Sequence, residues 1–139
     1  MKLTQGVRVG RPTRIALGFA LLVTLAACDS DGPSSPTDGG LVTFQVGTEQ
    51  FRVELQTQDQ LDAARRAQQG GPARIPNGRI VAGTGANAGW TWHLEDVTFA
   101  EVAIELCDGR PSDVERQGAQ FGGGRFCPWS ASVVSIVER

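Results

Sequence analysis

Apolar and polar residues alternate in two short runs, LVTFQV at residues 41–46 and FRVEL at residues 51–55. A period of two residues is typical of strands that bury one face. The four residues between the runs, GTEQ, have the length and the glycine of a hairpin connection. The pattern therefore predicts an antiparallel β-hairpin at the start of a folded region.

The next stretch, TQDQLDAARRAQQGGP, predicts a short helix. Thr57 and Gln60 have the spacing of a capping box, acidic residues come early and arginines late, and glycine and proline follow at 70–72. The apolar stripe of this helix is thin, because it consists of Leu61, Ala64 and neighbouring alanines.

Strands are also expected at residues 79–82 and 90–95, on either side of the glycine-rich sequence GTGANAG. In the second of these strands, Trp90, Trp92 and Leu94 share one face, because side chains alternate along a strand.

The C-terminal third has a less regular pattern. Residues 97–107, VTFAEVAIELC, fit a helix as well as a strand, and their β-branched residues favour a strand in the second half. Ser112 and Glu115 have capping-box spacing and predict a second short helix. Glycines at 122–124 predict a loop, and residues 130–137, SASVVSIV, predict a final strand that is central because both its faces are apolar. Together the elements predict an α+β domain, with two short helices on an antiparallel sheet of five or six strands.

The first 27 residues have a different character. They begin with basic residues, contain no acidic residue, and include the apolar run IALGFALLVTLAA. As a helix this run would rise about 20 Å, short of a bilayer core of about 30 Å, so it is typical of a secretory signal and not of a membrane span. The sequence LAAC that ends at Cys28 resembles the lipobox of bacterial lipoproteins. That resemblance implies cleavage before Cys28 and acylation of it; an ordinary signal peptide with an incidental cysteine is the alternative.

Three segments follow from this boundary: a lipoprotein signal peptide at 1–27, an acylated cysteine and flexible tether at 28–40, and a single domain at 41–139. The tether sequence DSDGPSSPTDGG has no apolar side chain other than proline to bury. Acyl chains on the cysteine would hold the protein at a membrane of the bacterial cell envelope. Aspartate directly after the cysteine resembles the retention signal of enterobacterial lipoproteins, which favours the inner membrane, facing the periplasm, over the outer membrane.

Charge excludes one class of partner. Four of the 13 basic residues lie in the signal, which leaves nine arginines and no lysine against 15 acidic residues, a net charge of about −6. Nucleic-acid binding depends on the neutralisation of phosphates by clustered basic side chains. The sequence therefore predicts no nucleic-acid partner.

Three cysteines are an odd number for an oxidising compartment. With Cys28 acylated, Cys107 and Cys127 remain as a pair. A disulfide between them would close a loop of about 20 residues and add about 3 kcal/mol of stability in the chain-entropy model. Two reduced, buried cysteines are the alternative.

The sequence predicts no catalytic residue, metal site or cofactor. His93 is the only histidine, no GxSxG sequence presents a serine to it, and one histidine with two cysteines is too few for structural zinc. GTGANAG precedes a strand and not a helix, which argues against dinucleotide binding. The acidic residues between 95 and 108 lack the EF-hand pattern and are typical of a solvated surface.

A binding face is the more specific expectation. The tryptophans can serve as core anchors or as a binding platform, and the sequence FGGGRF can present Arg125 to an anion. The candidate face consists of Trp90, Trp92, His93, Glu95, Glu101, Arg125 and Trp129.

Most of the domain resembles a known family. The stretch GWTWHLEDVTFAEVAIELCDGRPSDVE, followed by FCPWSASVV, is similar to the N-terminal domain of a calmodulin-binding protein family called BP seventy-four, over roughly residues 42–137. The resemblance implies one fold unit with a Cys107–Cys127 bridge. It points to no particular catalytic activity, and it does not extend calmodulin binding to a bacterial lipoprotein.

These observations favour a membrane-tethered, non-catalytic binding or envelope-associated lipoprotein, with an unknown protein or small ligand as its partner. A small inhibitor of secreted proteases or other enzymes is the first alternative, with the glycine loop before Cys127 as the inhibitory segment. A hydrolase that uses His93 with a nearby carboxylate is the second alternative.

We predict that Cys28→Ser releases the protein from the membrane fraction, because it removes the thiol that carries the acyl chains. Mass spectrometry of the native protein should show a diacylated or triacylated Cys28 at its N-terminus. A soluble native protein that begins at another residue would contradict this prediction.

Overall fold

The computed structural model describes residues 39–139; the signal, Cys28 and the tether up to residue 38 lie outside the described residues. Six strands form two antiparallel sheets, with the strand orders β2-β1-β6 and β4-β3-β5. The elements, in chain order, are β1 (Gly40–Val46), β2 (Glu49–Leu55), α1 (Gln58–Gln68), β3 (Ile75–Ala82), β4 (Trp92–Ala100), α2 (Pro111–Gln117), β5 (Arg125–Phe126) and β6 (Ser132–Glu138). The predicted α+β class, strand number and two short helices are confirmed.

The predicted hairpin is confirmed. β1 and β2 pair from Gly40 with Leu55 to Val46 with Glu49. The turn between the two strands contains Gly47 at φ 61°, a conformation that glycine adopts without strain. Alternate residues of both strands are buried, so the hairpin contributes one face to the core.

Helix α1 begins as predicted. The Gln60 N–H donates to Thr57 Oγ1 at 3.3 Å, and the Thr57 N–H donates to Gln60 Oε1 at 3.1 Å, which completes the capping box. Leu61 and Ala64 are the buried residues of the helix, and they pack into the common core. This thin stripe is sufficient because the helix covers strands that already supply most of the apolar surface.

Aromatic side chains from both sheets meet in the core. Phe44 and Phe51 of the first sheet stack with ring centroids 5.2 Å apart. Phe126 of the second sheet contacts Phe51, Trp92 and Phe121 edge-on, at 5.3, 5.5 and 5.9 Å. Edge-on and offset pairs of this kind add about 0.5–1.5 kcal/mol each beyond the area they bury. The core is therefore shared by the two sheets, and neither sheet has a separate one.

The Cys107–Cys127 disulfide is present, as predicted. The Cα atoms lie 5.1 Å apart, and the Cys127 N–H donates to the Cys107 carbonyl at 2.8 Å. Together with Ile75, the two cysteines form a second, smaller apolar cluster, which Ala103 covers. The bridge thus ties the segment after β4 to the segment after β5.

The prediction of a strand in the second half of residues 97–107 is wrong. β4 continues from Trp92 only to Ala100, and a short 3-10 helix, Glu105–Cys107, follows. β3 begins at Ile75, which pairs with Ala100, so the later residues have no partner strand in the described chain. The β-branched side chains that favoured a strand are exposed instead: Val102 is 82% and Ile104 65% accessible.

The prediction that the final strand is central in its sheet is also wrong. β6 lies at the edge of its sheet, paired only with β1, and is not central. Val133 and Ile136 pack against the core, whereas Val134 and Val137 are 46% and 58% exposed. A strand with apolar residues on both faces is therefore not necessarily buried on both faces.

The second helix begins differently from the prediction. Pro111 occupies its first turn, a position that suits proline, and the Arg110 N–H donates to Asp113 Oδ2 at 2.8 Å. The capping box expected from Ser112 and Glu115 is therefore wrong, since both residues lie inside the helix.

Ser112 and Glu115 attach the helix to the sheets instead. The N–H and hydroxyl of Ser112 donate to the two carboxylate oxygens of Glu49 on β2, each at 2.8 Å. Glu115 accepts hydrogen bonds from the N–H and hydroxyl of Thr91, just before β4, at 3.0 and 2.9 Å. Helix α2 is thus attached to β2 of one sheet and to the residue that precedes β4 of the other.

We predict that replacing both Cys107 and Cys127 with alanine lowers the free energy of unfolding by about 2–5 kcal/mol, because the open chain gains entropy when unfolded. Urea unfolding in a Cys28→Ser background, which leaves no other thiol, measures the change. Reduction of the parent protein should give the same loss. An unchanged unfolding midpoint would show that the bridge does not stabilise the domain.

Candidate functional site

The loop at residues 83–91, GTGANAGWT, covers the outer edge of β2. Within the loop, the Asn87 N–H donates to the Thr84 carbonyl at 2.8 Å, and the Trp90 N–H donates to the Asn87 carbonyl at 3.2 Å. The Trp90 indole N–H donates to the Gln50 carbonyl of β2 at 2.8 Å. This glycine-rich loop, whose sequence argues against a dinucleotide site, therefore connects the two sheets through hydrogen bonds to β2.

Asn87 forms a bridge between the two sheets. Its side chain is completely buried, and it is the one buried polar residue of the described chain. Its Oδ1 accepts a hydrogen bond from the Arg52 N–H of β2 at 2.7 Å, and its Nδ2 donates to the Trp92 carbonyl of β4 at 3.0 Å. One carboxamide thus joins two strand edges that share no ladder among the described strands.

Gln60 makes a second bridge of the same kind. Its Oε1 accepts from the N–H groups of Gln56 and Thr57, at 2.7 and 3.1 Å, directly after β2 ends. Its Nε2 donates to the Val97 carbonyl of β4 at 2.8 Å. Gln60, which completes the capping box of α1, therefore also fixes the distance between β2 and β4.

A groove of about 350 Å³ lies between the two bridges. Arg52, Glu54 and Gln56 form one wall, and residues 93–97 of β4 form the other, while the loop residues 85–86 line the end next to Asn87. The groove is polar and open, and its walls are the outer edges of two strands.

His93 is held firmly in this groove. Its Nδ1 lies 2.6 Å from the Gly83 carbonyl, and its Nε2 lies 3.4 Å from Glu95 Oε1. Gly85, at φ 51°, packs on the imidazole so closely that a Cβ atom there would lie 2.8 Å from the ring. Both ring nitrogens thus face oxygen acceptors, and glycine is required for the loop to approach the ring.

The carboxylates of the groove are partly neutralised from outside it. Arg79 bonds to Asp96 at 3.2 Å and also to Glu95; the Asp96 hydrogen bond, followed by the Glu95 one, raises the pKa of Arg79. Asp96 has φ 51° and lies at the bulge between β3 and β4, which turns its side chain towards Arg79. Glu54 pairs with Arg139 at the C-terminus. The groove therefore has fixed charges of both signs.

Only two of the seven residues predicted to form a binding face, His93 and Glu95, line the groove. Trp92 is 2% exposed and belongs to the core, so its placement on a binding face is corrected: its position in β4 turns it inward, against Phe126. Trp90 is half-buried and packs on Trp92 with ring centroids 6.1 Å apart.

The other three predicted residues lie elsewhere. Glu101 is exposed just beyond β4. The Arg125 Nε donates to Asn77 Oδ1 at 2.8 Å, which attaches β5 to β3. Trp129 is 41% exposed, and its N–H donates to Asp108 Oδ1 at 2.8 Å. These contacts give Arg125 a structural role and leave Glu101 and Trp129 on the surface.

Sequence reasoning missed the residues that build the groove. Arg52 and Glu54 were visible only as the polar face of a strand, and Gln60 only as a helix cap. Asn87 carried no signal beyond its place in a glycine-rich loop. No local signal could have found them, because Arg52 and Asn87 are 35 residues apart in the sequence and meet only in the fold.

Within residues 39–139, no three His, Cys, Asp or Glu side chains are grouped closely enough to hold a metal ion. In the same range, neither helix has the length and apolarity needed to cross a membrane.

We predict that Asn87→Ala lowers the free energy of unfolding by about 2–4 kcal/mol, because it leaves the Arg52 N–H and the Trp92 carbonyl without their partner. Urea unfolding in the Cys28→Ser background measures the loss. Gln45→Ala is the matched control: it removes an exposed side-chain bond to the Gly47 carbonyl and should change stability by less than about 0.5 kcal/mol. Equal effects of the two substitutions would contradict the role given to Asn87.

Residues 40–139 match the family model of the BP seventy-four N-terminal domain. No curated protein and no solved structure matches the chain. The match coincides with the described domain and spans well over half of the sequence, in agreement with the resemblance of its tryptophan and cysteine motifs. The chain therefore belongs to the BP seventy-four N-terminal domain family.

Proposed function

We propose that this protein is a non-catalytic binding module, tethered to a membrane of the bacterial envelope by acylation of Cys28, and that its ligand occupies the groove between β2 and β4. The observation that carries the proposal is a preformed polar groove of about 350 Å³ with a carboxamide bridge at each end. Concave sites with a few placed polar groups are typical of ligand binding.

The two bridges support this function by preorganising the site. Asn87 and Gln60 each bond to both walls, so the distance between β2 and β4 is set before a ligand arrives. A site that is already ordered loses less conformational entropy on binding, and this increases affinity for the same contacts.

The proposed acyl anchor on Cys28 limits how far from the membrane the protein can bind its ligand. Ten residues lie between Cys28 and Gly39, where the described domain begins. A chain of that length spans at most about 40 Å. The ligand is therefore a component of the membrane surface or of the space next to it.

The groove lining favours binding over covalent acyl transfer. It contains carboxylates, an imidazole and a guanidinium, and no described serine, threonine or cysteine side chain lines it. Covalent acyl transfer needs such a nucleophile beside its base. The alternative that keeps support from the geometry is a hydrolase in which His93 and Glu95 act on water, and turnover of a bound ligand that His93→Ala abolishes would favour it.

The inhibitor alternative receives less support. The glycine segment before Cys127 forms short 3-10 turns within Gly118–Gly123, interrupted by a kink at Phe121 and Gly122, and Phe121 is buried in the core. Inhibitors that act as substrate mimics need an exposed, extended segment, and this part of the chain is compact.

We predict that Glu54→Trp abolishes retention of a ligand by the full-length, tagged protein captured from detergent-solubilised envelopes, because the indole fills the groove. Val134→Trp is the matched control, since it places the same side chain at an exposed strand position outside the groove. Mass spectrometry of the captured material identifies protein and small-molecule ligands. Retention of every ligand by Glu54→Trp, or no ligand on the parent protein, would contradict the proposed function.

A further inference from the structure

We propose that the groove binds its partner by strand addition: an extended peptide segment enters between β2 and β4 and bonds to the backbone of both strands. This inference rests on the proposed function, because it names the chemistry of the ligand for the same site. Three properties of the groove support it: the direction of its backbone groups, the spacing of its two edges and the charge of its lining.

The edge of β2 directs backbone groups into the groove. In an antiparallel pair, successive residues point their N–H and C=O groups alternately towards the partner strand and away from it. The Gln50 carbonyl and the Arg52 N–H point away from β1, since they bond to Trp90 and Asn87. Glu54 is the next residue of this set, so its N–H and C=O face the groove.

The edge of β4 does the same from the opposite side. The Gly83 N–H donates to the Thr91 carbonyl at 2.7 Å, so Thr91 points towards β3 and Trp92 points away from it. Leu94 belongs to the same set as Trp92, and its N–H and C=O therefore face the groove. Among the described residues, the hydrogen bonds at this edge reach Trp92 and then Val97, on either side of Leu94.

Asn87 and Gln60 show which chemical group fits between the edges. Each places one carboxamide in the gap, with its oxygen accepting from the β2 side and its nitrogen donating to a carbonyl of β4. A peptide group offers the same acceptor and donor on opposite sides. The two side chains therefore occupy the positions that peptide groups of an inserted strand would take.

The gap has the length of a short strand segment. On β2 the bridges lie at Arg52 and Gln56, four residues apart, which corresponds to about 13 Å and leaves room for about three extended residues. The matching bridge points on β4 are Trp92 and Val97, so β2 and β4 run in the same direction here. An inserted strand antiparallel to both would join the two sheets into one, in the order β6-β1-β2-ligand-β4-β3-β5.

The charge of the lining restricts the peptide. Three carboxylates, on Glu54, Glu95 and Asp96, outnumber the Arg52 guanidinium, and Arg79 and Arg139 bond to them from outside the lining. With all three arginines counted, the charges of this face balance, so it offers no attraction to a strongly charged peptide and fits one with uncharged polar side chains. A segment rich in aspartate, or one with prolines that lack an N–H, therefore fits the groove poorly.

The test uses seven-residue peptides selected from a random display library on the full-length, acylated protein in detergent. Each selected peptide is resynthesised with N-methyl groups on alternate residues, in both registers. Since a strand between two edges bonds to them with alternate residues, either register of methylation should weaken binding about tenfold or more. Amide hydrogen exchange should slow at Glu54 and Leu94 when the unmodified peptide binds.

Two variants of Glu54 give an independent readout. Glu54→Ala and Glu54→Pro both remove the carboxylate, but only the proline variant also removes the N–H that faces the groove, at an edge position where proline is tolerated; it should therefore bind the peptide about tenfold more weakly than the alanine variant. Equal affinities of the methylated and unmethylated peptides would overturn strand addition and leave the proposed function standing. The same conclusion follows if no peptide is selected while the captured envelope ligand proves to be a small molecule. Ligands that survive Glu54→Trp would instead overturn the proposed function.

Discussion

The buried carboxamide of Asn87 fixes the relation between two sheets that share a core but no described ladder. Its two hydrogen bonds hold the Arg52 N–H and the Trp92 carbonyl on either side of one amide group. Each of those backbone groups would otherwise be left without a partner, at a cost of about 1–3 kcal/mol. The position of the loop at 83–91 depends on this side chain, which also sets the width of the groove together with Gln60.

The groove is a place where this architecture leaves two strand edges open to a partner. Natural sheets usually cover or shorten their edges, because an open edge can pair with another chain. Here β5 has only two residues, and Trp90 covers the β2 edge at Gln50. Between Asn87 and Gln60 the edges of β2 and β4 stay open, flanked by His93 and paired charges. Selective protection of this kind is what a recognition site requires.

Local signals predicted the parts of this fold that depend on neighbours in sequence. The hairpin, the Thr57 capping box and the thin stripe of α1 each depend on residues only a few positions apart, and the cysteine count predicted the disulfide. Asn87 was invisible because its partner Arg52 is 35 residues away. Residues 102–106 have strand-like side chains, but a strand also needs a partner, and β3 ends the ladder at Ile75. The groove could not be predicted for the same reason, because its walls come from β2 and β4, which are far apart in the sequence.

The ends of the domain lie side by side, and this determines how it bears a mechanical load. The Arg139 N–H donates to the Gly39 carbonyl at 3.1 Å, and the chain passes directly from Gly39 into β1. β1 is the middle strand of its sheet, with ladders to β2 and β6 on its two sides. A force along β1 that arrives through the chain before Gly39 loads both ladders in shear, whereas a force across the sheet at the C-terminus can peel β6 away bond by bond. The domain is therefore attached to its N-terminal segment through its most strongly held strand.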